Sequence, residues 1–144
     1  MSTLLFILPF SGMLSGCASP APEVEPASDS PSVSAEYIEV VYFHRSQRCS
    51  GCVYAENGIR YTLDTYFADD MEKDKIIFKV INLEDEENQF TVAEYGAYTS
   101  SLFINVVGNG TDHIREVTDI WILLYNNEVF VDVVKSEISA SLLE

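Results

Sequence analysis

Positive charge is what this chain has least of. Eight Lys and Arg residues face 23 Asp and Glu in 144 residues, for a formal net charge of −15. A nucleic-acid binder neutralises phosphates with Lys and Arg, so the composition argues against a nucleic-acid partner. It suits a soluble exported domain, or one whose partner favours acidic groups. Cysteine is also scarce, with three residues. There is no second CxxC and no His-x3–5-His, so a structural zinc site lacks two of its four ligands. No phosphate-binding glycine loop, serine-hydrolase motif or flavin fingerprint occurs, and any flavin would have to sit on another subunit. What the chain does have is apolar content. At 47% hydrophobic residues it can fill the core of one ordinary domain, so the cysteines need not staple a coreless miniprotein.

The amino-terminal part has its own character. Residues 4–14 (LLFILPFSGML) are apolar but shorter than the about 20 residues of a spanning helix, and match a secretory h-region. The run ends in Leu14-Ser15-Gly16-Cys17, which resembles the lipobox of prokaryotic lipoproteins. That resemblance implies cleavage of residues 1–16 and a lipid on Cys17. It also accounts for the odd cysteine in an exported chain. No Lys or Arg precedes Arg45, so the n-region carries only its terminal amine. Residues 17–35 then read as the lipidated cysteine and a disordered linker. Four of the five prolines lie there (Pro20, Pro22, Pro26 and Pro31), with several serines and no aromatic side chain. Such a segment buries too little apolar surface to offset its ordering entropy.

Residues 36–144 read as one globular domain. Residues 37–43 (YIEVVYF) are mostly β-branched and aromatic, as in a strand buried on both faces. A helix is expected from near Cys49 to about Ala68, capped by Ser46, with Cys52, Ala55, Ile59, Leu63 and Tyr66 on its apolar stripe. Gly58 inside it costs ~1 kcal/mol relative to Ala. Residues 76–83 form a second strand, and residues 86–95 a short helix closed by Gly96. Residues 101–107 form a third strand, and the turn Gly108-Asn109-Gly110 leads to an antiparallel fourth at residues 114–117. A last helical region starts near Asp119, with a possible break at Asn126-Asn127, and sets Phe130, Val133, Val134, Ile138 and Leu142 on one face. The order β-α-β-α-β-β-α makes an α/β fold, a four-stranded mixed sheet with helices on both faces. This is the minimal thioredoxin-like arrangement.

Cys49-Ser50-Gly51-Cys52 follows the first buried strand and opens a helix, which is where thioredoxin-like oxidoreductases carry their dithiol. Three readings stay open: a redox-active disulfide, capture of a soft ion such as Cu(I) or As(III) by Cys49 and Cys52, and a purely structural bridge. For redox work Cys49 is the expected nucleophile, because a helix N-terminus favours a thiolate, and Cys52, on the apolar stripe, is the resolving thiol. His44, Arg45 and Arg48 precede the motif in an otherwise acidic chain and are candidates for lowering the Cys49 pKa. No bound cofactor is expected beyond the Cys49–Cys52 disulfide itself. The partner would be a redox protein or a small-molecule thiol or disulfide, met outside the cytoplasm at the membrane. The acidic run Glu84-Asp85-Glu86-Glu87 reads as a solvated helix start, Trp121 as a core or half-buried anchor, and His113 as exposed.

The stretch from Phe43 to Cys52 resembles the ArsF family of thioredoxin-like proteins, named for nitrophenyl compound nitroreductase subunits. The likeness continues through Thr65-Tyr66-Phe67, Val80-Ile81-Asn82, Tyr98-Thr99-Ser100-Ser101-Leu102 and Ile120-Trp121. It implies a thioredoxin-like fold with the CxxC as functional motif, and the possibility of an accessory subunit in a nitroreductase system. Thioredoxins place a cis-proline before the third strand. Here Ser100 takes that position, where a trans peptide is expected, because a cis bond before Ser costs ~3 kcal/mol or more. That departure weighs against general protein-disulfide exchange. The anchor is tested by fractionating a prokaryotic host that makes either the full chain or Cys17→Ser. The expected outcome is a lipid mass on Cys17 and membrane partition of the first protein alone; identical partition without lipid would remove the anchor.

Overall fold

The computed structural model describes residues 35–144; the expected leader, Cys17 and the linker through residue 34 lie outside the described residues. Four strands, β1 (Tyr37–His44), β2 (Ile76–Asn82), β3 (Ser101–Gly108) and β4 (Thr111–Glu116), alternate with four helices, α1 (Ser50–Tyr66), α2 (Ala68–Glu72), α3 (Gln89–Tyr95) and α4 (Asn127–Ser141). The sheet order is β2-β1-β3-β4. β1 lies parallel to β2, with Val40 opposite Phe78, and antiparallel to β3, with Val40 opposite Ile104. β4 closes the far edge antiparallel to β3. This is the mixed α/β sheet expected from the sequence.

β1 is central, and its composition follows from that place. A strand covered on both faces has no solvent side for polar residues. Ile38, Val40, Val41, Tyr42 and Phe43 are accordingly all fully buried. On one face Ile38, Val40 and Tyr42 join Leu102, Ile104 and Val106 beneath Ala55, Ile59 and Leu63 of α1 and Phe130, Val134 and Ile138 of α4. On the other, Val41, Phe43 and Phe103 meet Tyr95 of α3. Phe43 and Phe103 pack edge to face there at 5.6 Å. This second face also holds a polar group: Tyr95 Oη and Lys79 Nζ both donate to Glu39, at 2.6 Å each. Burial pushes the Tyr95 phenol far up, and its bond to the Glu39 carboxylate pushes it further, so it remains a donor.

Turns close where their chemistry dictates. Asn109 (φ 54°) and Gly110 (φ 72°) are both left-handed, as a two-residue hairpin needs for its twist to match the strands. Gly96 (φ 63°) ends α3. Other expectations are corrected. Ser46 does not cap α1: the N-cap is Cys49, and Ser46 lies back in the loop, its Oγ accepting from Asn82 Nδ2 at 3.0 Å. α1 stops at Tyr66, whose ring is half exposed; Phe67, which is buried, takes its place in the core. The segment from residue 86 begins as a 3-10 turn (Glu86–Asn88), and the last helical region splits into a 3-10 turn (Thr118–Trp121) and α4. Val133 and Leu142 are only partly covered on α4, and Ser141 is buried instead. Ser141 Oγ receives Arg115 Nη2 from β4 at 2.8 Å, and the same guanidinium bonds the Glu137 side chain and carbonyl, tying the end of α4 to the sheet edge. The run 84–87 and His113 are exposed, and Trp121 is partly buried against the main core.

Gly58 is explained by α4. A Cβ there would stand 2.6 Å from Cε1 and 2.8 Å from Cδ1 of Phe130, whose ring is fully buried. The helix gives up ~1 kcal/mol of propensity to let α4 approach. Gly58→Ala is therefore expected to destabilise, by up to about 2 kcal/mol net, because overpacking costs about 1–3 kcal/mol against a propensity gain of about 1 kcal/mol. A urea titration checks the sign, and a variant more stable than the wild type would show that the helices can part.

Candidate functional site

β1 carries the chain to the end of the sheet, residues 45–48 cross as a loop, and Cys49 begins α1. Its backbone is extended (φ −81°, ψ 163°), as an N-cap requires, and its Sγ accepts the Cys52 N–H at 3.1 Å. Cys49 and Cys52 are disulfide-bonded, with Cα atoms 5.1 Å apart. Cys49 is exposed and Cys52 half-buried. Gly51 between them is buried, and a side chain there would meet Leu124 Cδ1 at 3.0 Å.

Beneath the motif, Tyr42 Oη donates to the Cys52 carbonyl at 2.9 Å. Burial pushes this phenol up to about 12, with Arg48 opposing, so it stays protonated and donating across the neutral range. Arg48 Nη2 reaches the same carbonyl at 3.5 Å and forms an ion pair with Glu56, which also holds Arg60 at 2.8 Å. Burial alone would raise the Glu56 carboxyl; hydrogen bonds and charge from Arg60 and Arg48 outweigh it, and the net shift is downward. The charge of Arg48 is thus shared with a carboxylate. Arg45 points elsewhere, donating to the Tyr98 carbonyl at 3.2 Å, and His44 Nδ1 lies 2.9 Å from the Arg45 carbonyl oxygen. The structure brings Arg48 against Cys52, ends β1 with His44, and places Arg45 on the loop that approaches residue 98. The hydrogen bond it does give Cys49 Sγ comes from the helix backbone.

Ser100 is buried directly before β3, and Ser101 pairs with Phe43 at the end of β1. Every described peptide bond is trans, that before Ser100 included. Among the described residues no group of three or more His, Cys, Asp or Glu side chains converges.

Several neighbours of the dithiol escaped the sequence reading. Tyr42 carried a usable signal, a hydroxyl among the buried residues of β1, which demands a buried partner. Glu56 carried a weaker one, falling one turn beyond Cys52 on the apolar stripe. Leu124 and Tyr125 carried none. They arrive from the far end of the chain, where Tyr125 Oη lies 3.1 Å from Ser50 Oγ.

Comparison with known proteins adds little. No family model and no curated protein matches. Among solved structures, that of a malarial protein is similar over 67% of this chain and 93% of its own, at 12% identity and a TM-score of 0.40. That level of likeness carries no argument.

The Glu56 cluster gives a pH signature. A carboxyl depressed in the folded state contributes stability that is complete above the ~4.3 of an unfolded glutamate and is lost as pH falls through the depressed value. Glu56→Gln should cost about 1–2 kcal/mol at pH 7, less than a fully buried pair because both arginines are partly exposed. That gap should shrink as acid protonates the wild-type carboxyl. Unfolding curves at neutral and acidic pH read it directly; a gap that persists unchanged in acid would assign the loss to packing.

Proposed function

We propose that the chain is an extracytoplasmic, membrane-anchored thiol–disulfide oxidoreductase of thioredoxin-like type, working through Cys49 and Cys52. The observation that carries the reading is the disulfide between an exposed Cys49 at the N-cap of α1 and a half-buried Cys52. Thiolate is the reactive form of cysteine, and the first turn of a helix favours it.

In the reducing direction the Cys49 thiolate attacks a substrate disulfide. A Cys49–substrate disulfide forms and the first substrate sulfur leaves as thiolate. Cys52 then gives up its proton and attacks Cys49 Sγ, closing the protein disulfide and releasing the second substrate thiolate. Two electrons pass to the substrate, and the proton from Cys52 and one from solvent complete its thiols. Oxidation of a substrate dithiol runs the same steps backward. Tyr42 and Arg48, both on the Cys52 carbonyl, hold the resolving residue in place meanwhile.

A dedicated partner or a small-molecule substrate suits the site better than general protein exchange, since Ser100 stands where thioredoxins hold a cis-proline. Exposed apolar side chains, Tyr98 on the loop bound by Arg45 and Ile122 just before Leu124, are available for such a partner. The resemblance to the ArsF family supports a role beside a nitroreductase whose flavin lies on another subunit. The lipobox and linker support a tether at Cys17.

Trapping tests the roles. With the disulfide first reduced, Cys52→Ser should accumulate a stable mixed disulfide through Cys49 when offered an aromatic disulfide, and Cys49→Ser should trap about tenfold less, since its remaining thiol is shielded. Equal trapping by the two variants would remove the assigned roles. Stoichiometric binding of Cu(I) or As(III) by reduced protein that exchanges with no disulfide would put the soft-ion reading first.

A further inference from the structure

Tyr125 has a backbone that its side chain does not favour. Its φ is +68°, the left-handed region where a bulky residue is an outlier. Asn126 and Asn127 follow at once and would adopt that conformation with less strain, yet the chain places it on the tyrosine. Core packing does not explain the choice, because Tyr125 is 66% exposed. What the conformation accomplishes is to bring the ring against Tyr54, with centroids 5.0 Å apart, and the hydroxyl onto Ser50 inside the CxxC motif. Tyr54 is itself fixed, donating to Asn127 Oδ1 at 2.6 Å. A Cβ placed on Gly51 would lie 3.8 Å from Cys49 Sγ and 3.9 Å from Tyr125 Oη, so sulfur and phenol border the same small space.

We infer that Tyr125 is a further catalytic residue of the dithiol: its hydroxyl, bonded to Ser50 in the disulfide form, donates to the Cys49 thiolate once the disulfide opens. The inference rests on the redox reading above. Reduction by an external dithiol, which is itself oxidised to a disulfide, delivers two electrons and one proton to the pair. Its second proton goes to solvent, leaving Cys52 as thiol and Cys49 as thiolate. That thiolate already has the Cys52 N–H. The phenol hydroxyl supplies a second donor, and each hydrogen bond to the charged form lowers the pKa of the thiol. The other titratable groups around the motif are committed: Arg48 and Arg60 to Glu56, Arg45 to the Tyr98 carbonyl, His44 to the Arg45 carbonyl, and Tyr42 to the Cys52 carbonyl. The strain at Tyr125 is then retained for the site, as strained backbone at functional positions generally is.

The experiment uses the full chain carrying Cys17→Ser, reduced with dithiothreitol and freed of it. Thiolate absorbance is titrated with pH, and alkylation by iodoacetamide at pH 7 is mapped to Cys49. Tyr125→Phe keeps the ring on Tyr54 and removes only the hydroxyl. It should raise the Cys49 pKa by about half to one unit and slow alkylation roughly 3- to 10-fold, with an unchanged Tm. Ser50→Ala releases the phenol from its competing partner and should leave the pKa at or below the wild-type value. Tyr125→Gly, which relieves the backbone, should raise the pKa as Phe does. Superimposable titrations of wild type and Tyr125→Phe would overturn the assignment, as would a rise in Ser50→Ala equal to that in Tyr125→Phe. Exchange of the wild type with an aromatic disulfide is scored separately: its absence would count against the redox reading, whereas the titration judges Tyr125 by itself.

Discussion

The hydrogen bond from the Cys52 N–H to Cys49 Sγ fixes two things at once, the start of α1 and the setting of the reactive sulfur. Helix N-caps are ordinarily oxygen side chains, which accept well. Neutral sulfur accepts weakly, and a thiolate accepts strongly, since hydrogen bonds to an ionised group are about twice as strong as neutral ones. The cap therefore tightens when Cys49 becomes an anion. The reduced form gains what the oxidised form lacks, and a dithiol whose reduced state is stabilised is a more oxidising couple. Helix stability and redox poise are linked through one atom.

Everything else around the motif keeps that first turn still. Tyr42, rooted in the central strand, holds the Cys52 carbonyl from below, and Arg48 holds it from the loop. Glu56 keeps Arg48 in place and is itself gripped by Arg60. A carboxylate so near the core would be costly alone; two guanidinium groups make it tolerable, and together they leave the neighbourhood of Cys49 less cationic than its arginines suggest.

Legibility followed the range of the interactions. The four strands, their order along the chain and the opening of α1 at the CxxC could be read because each rests on local pattern: the β-branched and aromatic residues of β1, the alternation of turn residues with strands, the glycines at residues 96 and 110. The helix stripe was read nearly correctly and failed at its end, where one residue of drift moved the core contact from Tyr66 to Phe67. The cap was misread because Ser46 is the better capping residue by composition, while position in the chain gave the task to Cys49. The electrostatics were read as proximity in sequence. Arg48 does stand by the motif, but Glu56, a turn along α1, claims its charge. Tyr125 was illegible for a deeper reason: its contact with Ser50 spans 75 residues of separation and depends on a backbone angle that no propensity scale assigns to tyrosine.

α4 has a structural meaning beyond the core it fills. At its carboxyl end Arg115 clamps Glu137 and Ser141 to the edge strand. At its amino end Asn127 receives Tyr54, and the chain just before it delivers Leu124 and Tyr125 to the dithiol. A helix of 15 residues, about 22 Å at 1.5 Å per residue, is thus a strut between the sheet's outer margin and the Cys49–Cys52 disulfide. Whatever displaces Arg115 on the edge strand would therefore be felt at the other end of the same helix, where Tyr125 meets Ser50.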